Sequence, residues 1–212
     1  MIRAVGEAVD AAGEVSDEPA TVPVQASERA FTGAVWDIQR ETFWYRNTAI
    51  TRDFVAHTGA VGVLALDENN RVLLIKQYRH PVRARLWEIP AGLLDIAGEP
   101  PLVAAQRELA EEADVVASDW AVLVDMATSP GGSNERIRIY LARGLTAAAA
   151  SFPREAEEAD IQTRWVPLDR CIDAVLTRRI HNGPLCCAVL AAAAAQARDW
   201  RTLGAADEPW PT

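Results

Sequence analysis

The sequence is poor in lysine, cysteine and histidine. Lys76 is its single lysine in 212 residues, and thirty acidic against twenty-one basic residues leave a net charge of −9. A basic footprint is missing, which argues against non-specific binding to nucleic acid. Three cysteines, two of them adjacent (Cys186 and Cys187), cannot supply a paired disulfide framework, so a reducing cytosol is the expected compartment. Three histidines, with no His-x-x-x-His and no Cys-x-x-Cys spacing, leave a zinc site without ligands. Long apolar runs are lacking too. The longest, residues 185–195, holds eleven residues, where a spanning helix needs roughly twenty. The first residues meet Glu7, Asp10 and Glu14 before any apolar stretch develops, so no signal peptide is expected. A soluble cytoplasmic protein without membrane or nucleic-acid partners is the expectation.

Half of the residues are hydrophobic, a share inflated by the alanines at 147–150 and 191–195. Residues 1–29 lack periodicity and read as a flexible leader. Residues 30–57 read as a small β-arm: positions 35–39 alternate, positions 50–55 do so loosely, and Arg46-Asn47 between them suits a hairpin turn. A main domain is expected over 58–200, with residues 201–212 as a tail. In it, 60–66 is a continuous apolar run fit for a strand buried on both faces, Asp67-Glu68-Asn69-Asn70 a turn, and 72–75 the next strand. Further strands are expected at 119–126, 137–141 and 163–166, and helices at 101–113, 168–178 and 185–200, the last two separated by Gly183-Pro184. Strands mixed with a few helices point to the α/β class in three layers, α/β/α with a mixed sheet.

The segment 101–113 carries the chemistry. Pro101 suits a first helical turn, where no amide donor is required. At about 100° per residue, Leu102, Ala105, Leu109 and Ala113 form an apolar stripe, and Glu108, Glu111 and Glu112 share an arc of about 100° beside it. None of these carboxylates has a base four positions later, and Arg107 lies off the arc. They also crowd the C-terminal end, where negative charge is disfavoured. Such a cluster suits a bound cation, and hard carboxylate oxygens suit Mg²⁺ or Mn²⁺; a solvated acidic face is the plainer alternative.

The wider stretch decides between them. Gly92-Leu93-Leu94-Asp95-Ile96-Ala97-Gly98-Glu99, seven further residues, then Arg107-Glu108-Leu109-Ala110-Glu111-Glu112-Ala113-Asp114-Val115 resembles the signature of the Nudix hydrolases. The gap from Gly92 to Glu99 holds six residues where the family pattern has five, and Gly98 makes the looser loop feasible. Asp114 stands where the family has a glycine of positive φ, which aspartate tolerates. The resemblance implies a Nudix fold with a loop–helix–loop that holds divalent metal against a diphosphate. The implied metal ligands are Glu108, Glu111, Glu112 and the main-chain carbonyl of Ala91, with Mg²⁺ as the expected ion and Mn²⁺ a substitute.

Three further stretches resemble the ADP-ribose pyrophosphatase branch. Pro130, in Ser129-Pro130-Gly131-Gly132-Ser133-Asn134-Glu135-Arg136, lies fifteen residues beyond Val115; an ordinary Pro-Gly turn is the alternative. Gln77-Tyr78-Arg79-His80 and Leu86-Trp87-Glu88-Ile89-Pro90-Ala91-Gly92 resemble the stretches before the box, and the Arg79 guanidinium there could grip a phosphate. Residues 31–57 resemble the arm through which that branch dimerises. Trp36, Arg52 and Asp53 match the aromatic and the arginine–acid pair that hold the adenosine half, sometimes in the partner's site, although simple packing would also account for Trp36. Glu88 and Glu135 complete the expected substrate-binding set. The resemblance implies Mg²⁺-dependent hydrolysis of ADP-ribose to AMP and ribose 5-phosphate by a homodimer. Glu111 and Glu112 join the catalytic set, and the acid loop at 152–160 supplies a carboxylate for the attacking water: Glu158, with Glu157 or Glu135 as competitors. Another nucleoside diphosphate derivative as substrate, or a non-catalytic ligand sensor, are the alternatives.

Overall fold

A computed structural model describes residues 15–150, 152 and 160–210. The arm is a three-stranded antiparallel meander: β1 (Val24–Phe31), β2 (Asp37–Tyr45) and β3 (Thr48–Ala56). Arg46, at φ 55°, and Asn47 turn β2 into β3, with Tyr45 opposite Thr48. Strand β1 begins at Val24, inside the stretch read from sequence as leader. Every residue of β1 is exposed, so burial imposed no alternation by which it could be recognised.

The main domain opens with β4 (Ala60–Ala65), buried along its whole length, and β5 (Arg71–Arg79). A 3₁₀ turn at His80–Val82 leads to β6 (Ala84–Glu88) and the three-residue β7 (Ala91–Leu93). Helix α1 (Pro101–Ala113) follows, then the long strands β8 (Val115–Ala127) and β9 (Arg136–Ala147), and β10 (Gln162–Pro167). Helices α2 (Leu168–Leu176) and α3 (Gly183–Gln196) and a short β11 (Gly204–Ala205) complete the chain. Gly183-Pro184 forms the first turn of α3 and does not precede it, because the Asn182 side chain caps the helix by accepting from the Leu185 amide (2.9 Å).

Two sheets build the middle layer. One has the order β11-β8-β9-β4-β7, mixed because β4 and β9 run parallel while its other pairs are antiparallel; the second is antiparallel, β10-β5-β6. Period-two alternation sorts β4 between two cores. Val61, Val63 and Ala65 pack with Ala105 and Leu109 of α1, while Ala60, Leu64 and Leu66 pack with Leu185, Ala188 and Val189 of α3. Burial on both faces explains the unbroken apolar run of β4. The result is the three-layer α/β arrangement expected from sequence. Among the described residues no helix is long and apolar enough to cross a membrane.

Residues 201–210 dock onto the domain and do not trail from it. Gly204 and Ala205 pair with Val122 and Ala121, and Arg138, whose side chain is 2% exposed, grips Asp125 with two hydrogen bonds of 2.8 Å. The same guanidinium donates to the carbonyls of Glu208 (2.7 Å) and Pro209 (3.0 Å) and lies 5.0 Å from the Trp210 ring. Main-chain carbonyls are common to every residue, so this docking left no mark in the sequence of the tail itself.

Candidate active site

Helix α1 has the bounds its sequence foretold. Ala104, Ala105, Leu109 and Ala113 are buried against the sheet, and Leu102 packs beside them. Asp114 ends the helix at φ 54°, ψ 34°, its amide donating to the Ala110 carbonyl (3.0 Å), so an aspartate does take the left-handed cap. Gly98, at φ 80°, accommodates the longer loop before the helix.

Glu112 is 3% exposed, and its carboxylate accepts from the Ala91 amide (2.8 Å), which ties the end of α1 to β7. Next to this tie, Gly92 leaves space that the Glu108 carboxylate fills. A methyl at position 92 would lie 2.0 Å from both Cδ and Oε1 of Glu108. The glycine of the motif is thus a matter of side-chain packing, since Gly92 lies outside the left-handed region.

Arg107 departs from the sequence reading. Instead of pointing away from the acids, it sits among them: Nε and Nη2 donate to Glu99 (3.1 and 3.0 Å), and Nη1 donates to Glu108 (2.6 Å) and Glu111 (3.1 Å). Its Cα lies off the arc of the acids, but its side chain is long enough to fold back across a turn. Hydrogen bonds from Arg107 hold the Glu99 carboxyl below its ordinary pKa, and the Glu99 hydrogen bond leads the causes that raise Arg107. Among the described residues no three acid or imidazole side chains are gathered as a metal cage, and the Arg107 guanidinium lies among Glu99, Glu108 and Glu111. The donor set nevertheless fits a hard divalent ion: all-oxygen, concentrated at one helix end, and already drawn around one positive charge.

A second group forms where the arm meets the domain. Val55 lies beside Ser133 in a parallel bridge, the Val55 amide donates to Gly132 O (2.9 Å), and the His57 amide donates to Asn134 Oδ1 (2.7 Å). The His57 ring is stacked under Trp36, centroids 4.1 Å apart at 21°. Its Nδ1 accepts from the Gly59 amide (2.9 Å), so the ring proton belongs on Nε2, which faces Glu135 Oε1 at 3.3 Å. Thr128 Oγ1 donates to the other oxygen of Glu135. Trp36 and Glu135, candidates far apart in the sequence, therefore meet across His57. Sequence reasoning missed that histidine, whose partners lie up to 78 residues away.

Arg79 and Glu88 also come together. The buried Glu88 carboxylate accepts two bonds from Arg79 Nε (3.0 and 3.2 Å) and one from Nη2 (2.7 Å), with Gln77 donating at 3.4 Å. Arg52 and Asp53 do not pair with each other. Asp53 is held by Arg40 in a fork of two 2.7 Å bonds, while Arg52 Nη1 donates to the Thr51 carbonyl and stands opposite Glu41. Consecutive strand residues face opposite sides of a sheet, so a neighbouring arginine and acid could not have paired directly. Glu158 and Glu157 lie outside the described residues.

Residues 56–184 match the family model described as the NUDIX domain. The chain belongs to the Nudix family. It is 44% identical over 167 residues to an ADP-ribose pyrophosphatase of Mycobacterium tuberculosis, covering 78% of this chain and 80% of that one. A methanol dehydrogenase activator of Bacillus methanolicus is 33% identical, covering 77% and 88%, and an ADP-ribose pyrophosphatase of Bacillus subtilis is 33% identical, covering 74% and 84%. Among solved structures, one titled as an ADP compounds hydrolase superposes with a TM-score of 0.72 at 17% identity, covering 88% of this chain and all of that one, a likeness of fold. Nudix hydrolases generally use divalent metal ions, the class of cation that the oxygens around Arg107 suit.

Proposed function

We propose that this Nudix hydrolase cleaves the diphosphate of ADP-ribose to AMP and ribose 5-phosphate with Mg²⁺ as its metal and Mn²⁺ as a substitute. The observation that carries the reading is the carboxylate set at the end of α1, packed on Gly92 and tied to Ala91, in a chain 44% identical to an ADP-ribose pyrophosphatase. Glu108, Glu111, Glu112 and the Ala91 carbonyl would hold the metal, which supplies charge neutralisation of the diphosphate and activation of water. Arg107 holds Glu99, Glu108 and Glu111 in place and offsets one of their three charges. Glu158 is the proposed general base that positions or deprotonates the attacking water. Trp36 offers a ring for the adenine, with His57 fixing its plane from below; Arg52, Asp53 and Glu135 belong to the adenosine side, and Arg79, oriented by Glu88, to the phosphates.

The arm serves as a dimerisation element and contributes to the partner's site. Val24, Phe31, Trp44 and Tyr45 all expose large apolar side chains on this small meander, and a three-stranded sheet of that size gains stability from a cover. Incubation with ADP-ribose and Mg²⁺, beside nucleotide sugars and dinucleoside polyphosphates and with Glu112→Gln as the blank, tests the reading. Fastest release of AMP and ribose 5-phosphate from ADP-ribose is the expected result. Preference for another diphosphate would discard the substrate and keep the metal helix, and no turnover on any would favour a ligand sensor.

A further inference from the structure

A cleft of about 450 Å³ opens on the side of the sheets away from α1, where α2 packs over β10 and β5. Trp87 of β6 and Cys171 and Ala174 of α2 give it apolar walls, and Trp87 and Cys171 belong to the core beneath α3, not to the core beneath α1. Arg164 of β10, Arg170 of α2 and Arg179 beyond α2 all line the same cleft. Arg164 stands opposite Leu74 on the neighbouring strand, and Arg170 and Ala174, four apart, share one face of α2.

The charge pattern is unusual for a chain with nine net negative charges. Several arginines elsewhere are held by carboxylates, as Arg79 is by Glu88, Arg107 by Glu99 and Arg138 by Asp125. Among the described residues no carboxylate lines this cleft, and Arg164, Arg170 and Arg179 form no ion pair; Arg179 donates to Thr177 Oγ1 (3.0 Å). Burial pushes the Cys171 thiol up to about 11, so it is a neutral wall atom and adds no negative charge. A planar guanidinium fork is the protein group best matched to phosphate oxygens. The volume lies within the range of small-molecule sites, about 300–1,000 Å³, and exceeds what a bare phosphate fills.

We propose that this cleft is a second ligand site, for a phosphomonoester carried on a ring-bearing body, with the phosphate on the three arginines and the body against Trp87 and Ala174. The assignment does not depend on the reading of α1. Equilibrium dialysis of the full chain in EDTA tests it, with AMP, ribose 5-phosphate and inorganic phosphate as probes. AMP or ribose 5-phosphate should bind more tightly than inorganic phosphate, and the preferred one tells whether a nucleotide or a sugar phosphate is the source. Arg164→Gln combined with Arg170→Gln should weaken binding by about tenfold or more, as loss of two charge-assisted contacts requires. Ala174→Trp, which fills the cleft without changing its charge, should weaken it as much, at a Tm that confirms folding. Trp36→Ala, at the proposed adenosine site, should lower AMP uptake only by the share bound there and leave the uptake of ribose 5-phosphate and inorganic phosphate unchanged. Binding of none of the three probes, or binding untouched by both cleft changes, overturns the proposal. Loss in Trp36→Ala with retention in the cleft variants places the ligand at the arm and overturns it as well.

Discussion

Replacing Gly92 by alanine separates the position of Glu108 from the stability of the fold. The added methyl would lie 2.0 Å from Cδ and Oε1 of Glu108 and 2.5 Å from its Cγ. Ordinary contact begins at 3.4 Å, so the carboxylate must retreat by about 1.4 Å. The backbone at position 92 is open to any residue, and its pairing with Val61 can persist. The obstacle is the end of a flexible side chain, so the cost to folding should fall at or below about 1 kcal/mol, the low end for overpacking, a Tm loss of a few degrees. Catalysis is far less forgiving, since a misplacement of about 1 Å costs on the order of 10²-fold. Gly92→Ala should therefore lower kcat on ADP-ribose about a hundredfold, with AMP release followed by chromatography and melting followed in parallel. Gly204→Ala is the control: its methyl would also displace a flexible carboxylate, Glu208 Oε2 at 2.3 Å, but in the tail strand β11, and should spare turnover. Wild-type turnover in Gly92→Ala would refute the claim that the seat of Glu108 governs the chemistry.

Arg107→Ala leaves Glu99, Glu108 and Glu111 without their shared cation and should destabilise the metal-free protein by about 2–3 kcal/mol, given that the group is partly exposed. Divalent ions should restore part of this in thermal melts, and an equal loss with and without metal would count against the charge-offsetting role. The depressed pKa of Glu99, from its Arg107 hydrogen bonds, and that of Asp53, from Arg40, contribute stability that is present above the unfolded carboxylate range near 4 and is lost as pH falls through their lower folded values. Tm should accordingly drop below about pH 4.5, and less steeply in Arg107→Ala. His57→Ala removes the platform under Trp36 and should raise KM for ADP-ribose more than it lowers kcat; the opposite split would take Trp36 out of adenine binding. Glu158→Gln should lower turnover by orders of magnitude with metal-induced stabilisation retained, and a near wild-type rate would move the assignment to Glu157 or Glu135.

What could be read from the sequence follows from how locally each feature is encoded. Helix α1 was legible to the residue because a proline opens it, an aspartate at positive φ closes it, and an apolar stripe runs between. Strand β4 was legible because burial on both faces demands an unbroken apolar run. Strand β7 was not: Ala91-Gly92-Leu93 is too short to carry a period, and its identity comes from pairing with Ala60, Val61 and Gly62. The start of β8 and the end of β9 alternate exposed and half-buried positions, so the strands expected at 119–126 and 137–141 stop short of them. In the site, the carboxylates were legible through spacing and family pattern. The role of Arg107 depended on a side-chain path, the partner of Asp53 on strand register, and the meeting of Trp36, His57 and Glu135 on a chain reversal that no local pattern records.

The grip of Arg138 on the last described residues sets an order of events for the growing chain. Its guanidinium is buried in β9, and two of its acceptors are carbonyls that lie 70 and 71 positions downstream. Until residues 208 and 209 are available, Asp125 can satisfy part of that buried cation and water must reach the rest. The middle of the sheet therefore cannot become fully dry early in synthesis, even though β8 and β9 are adjacent in sequence and pair readily. Final consolidation of the domain waits for its end, and a chain cut at residue 200 would keep every strand of the two sheets except β11 while Arg138 kept Asp125 and lost its two carbonyl acceptors.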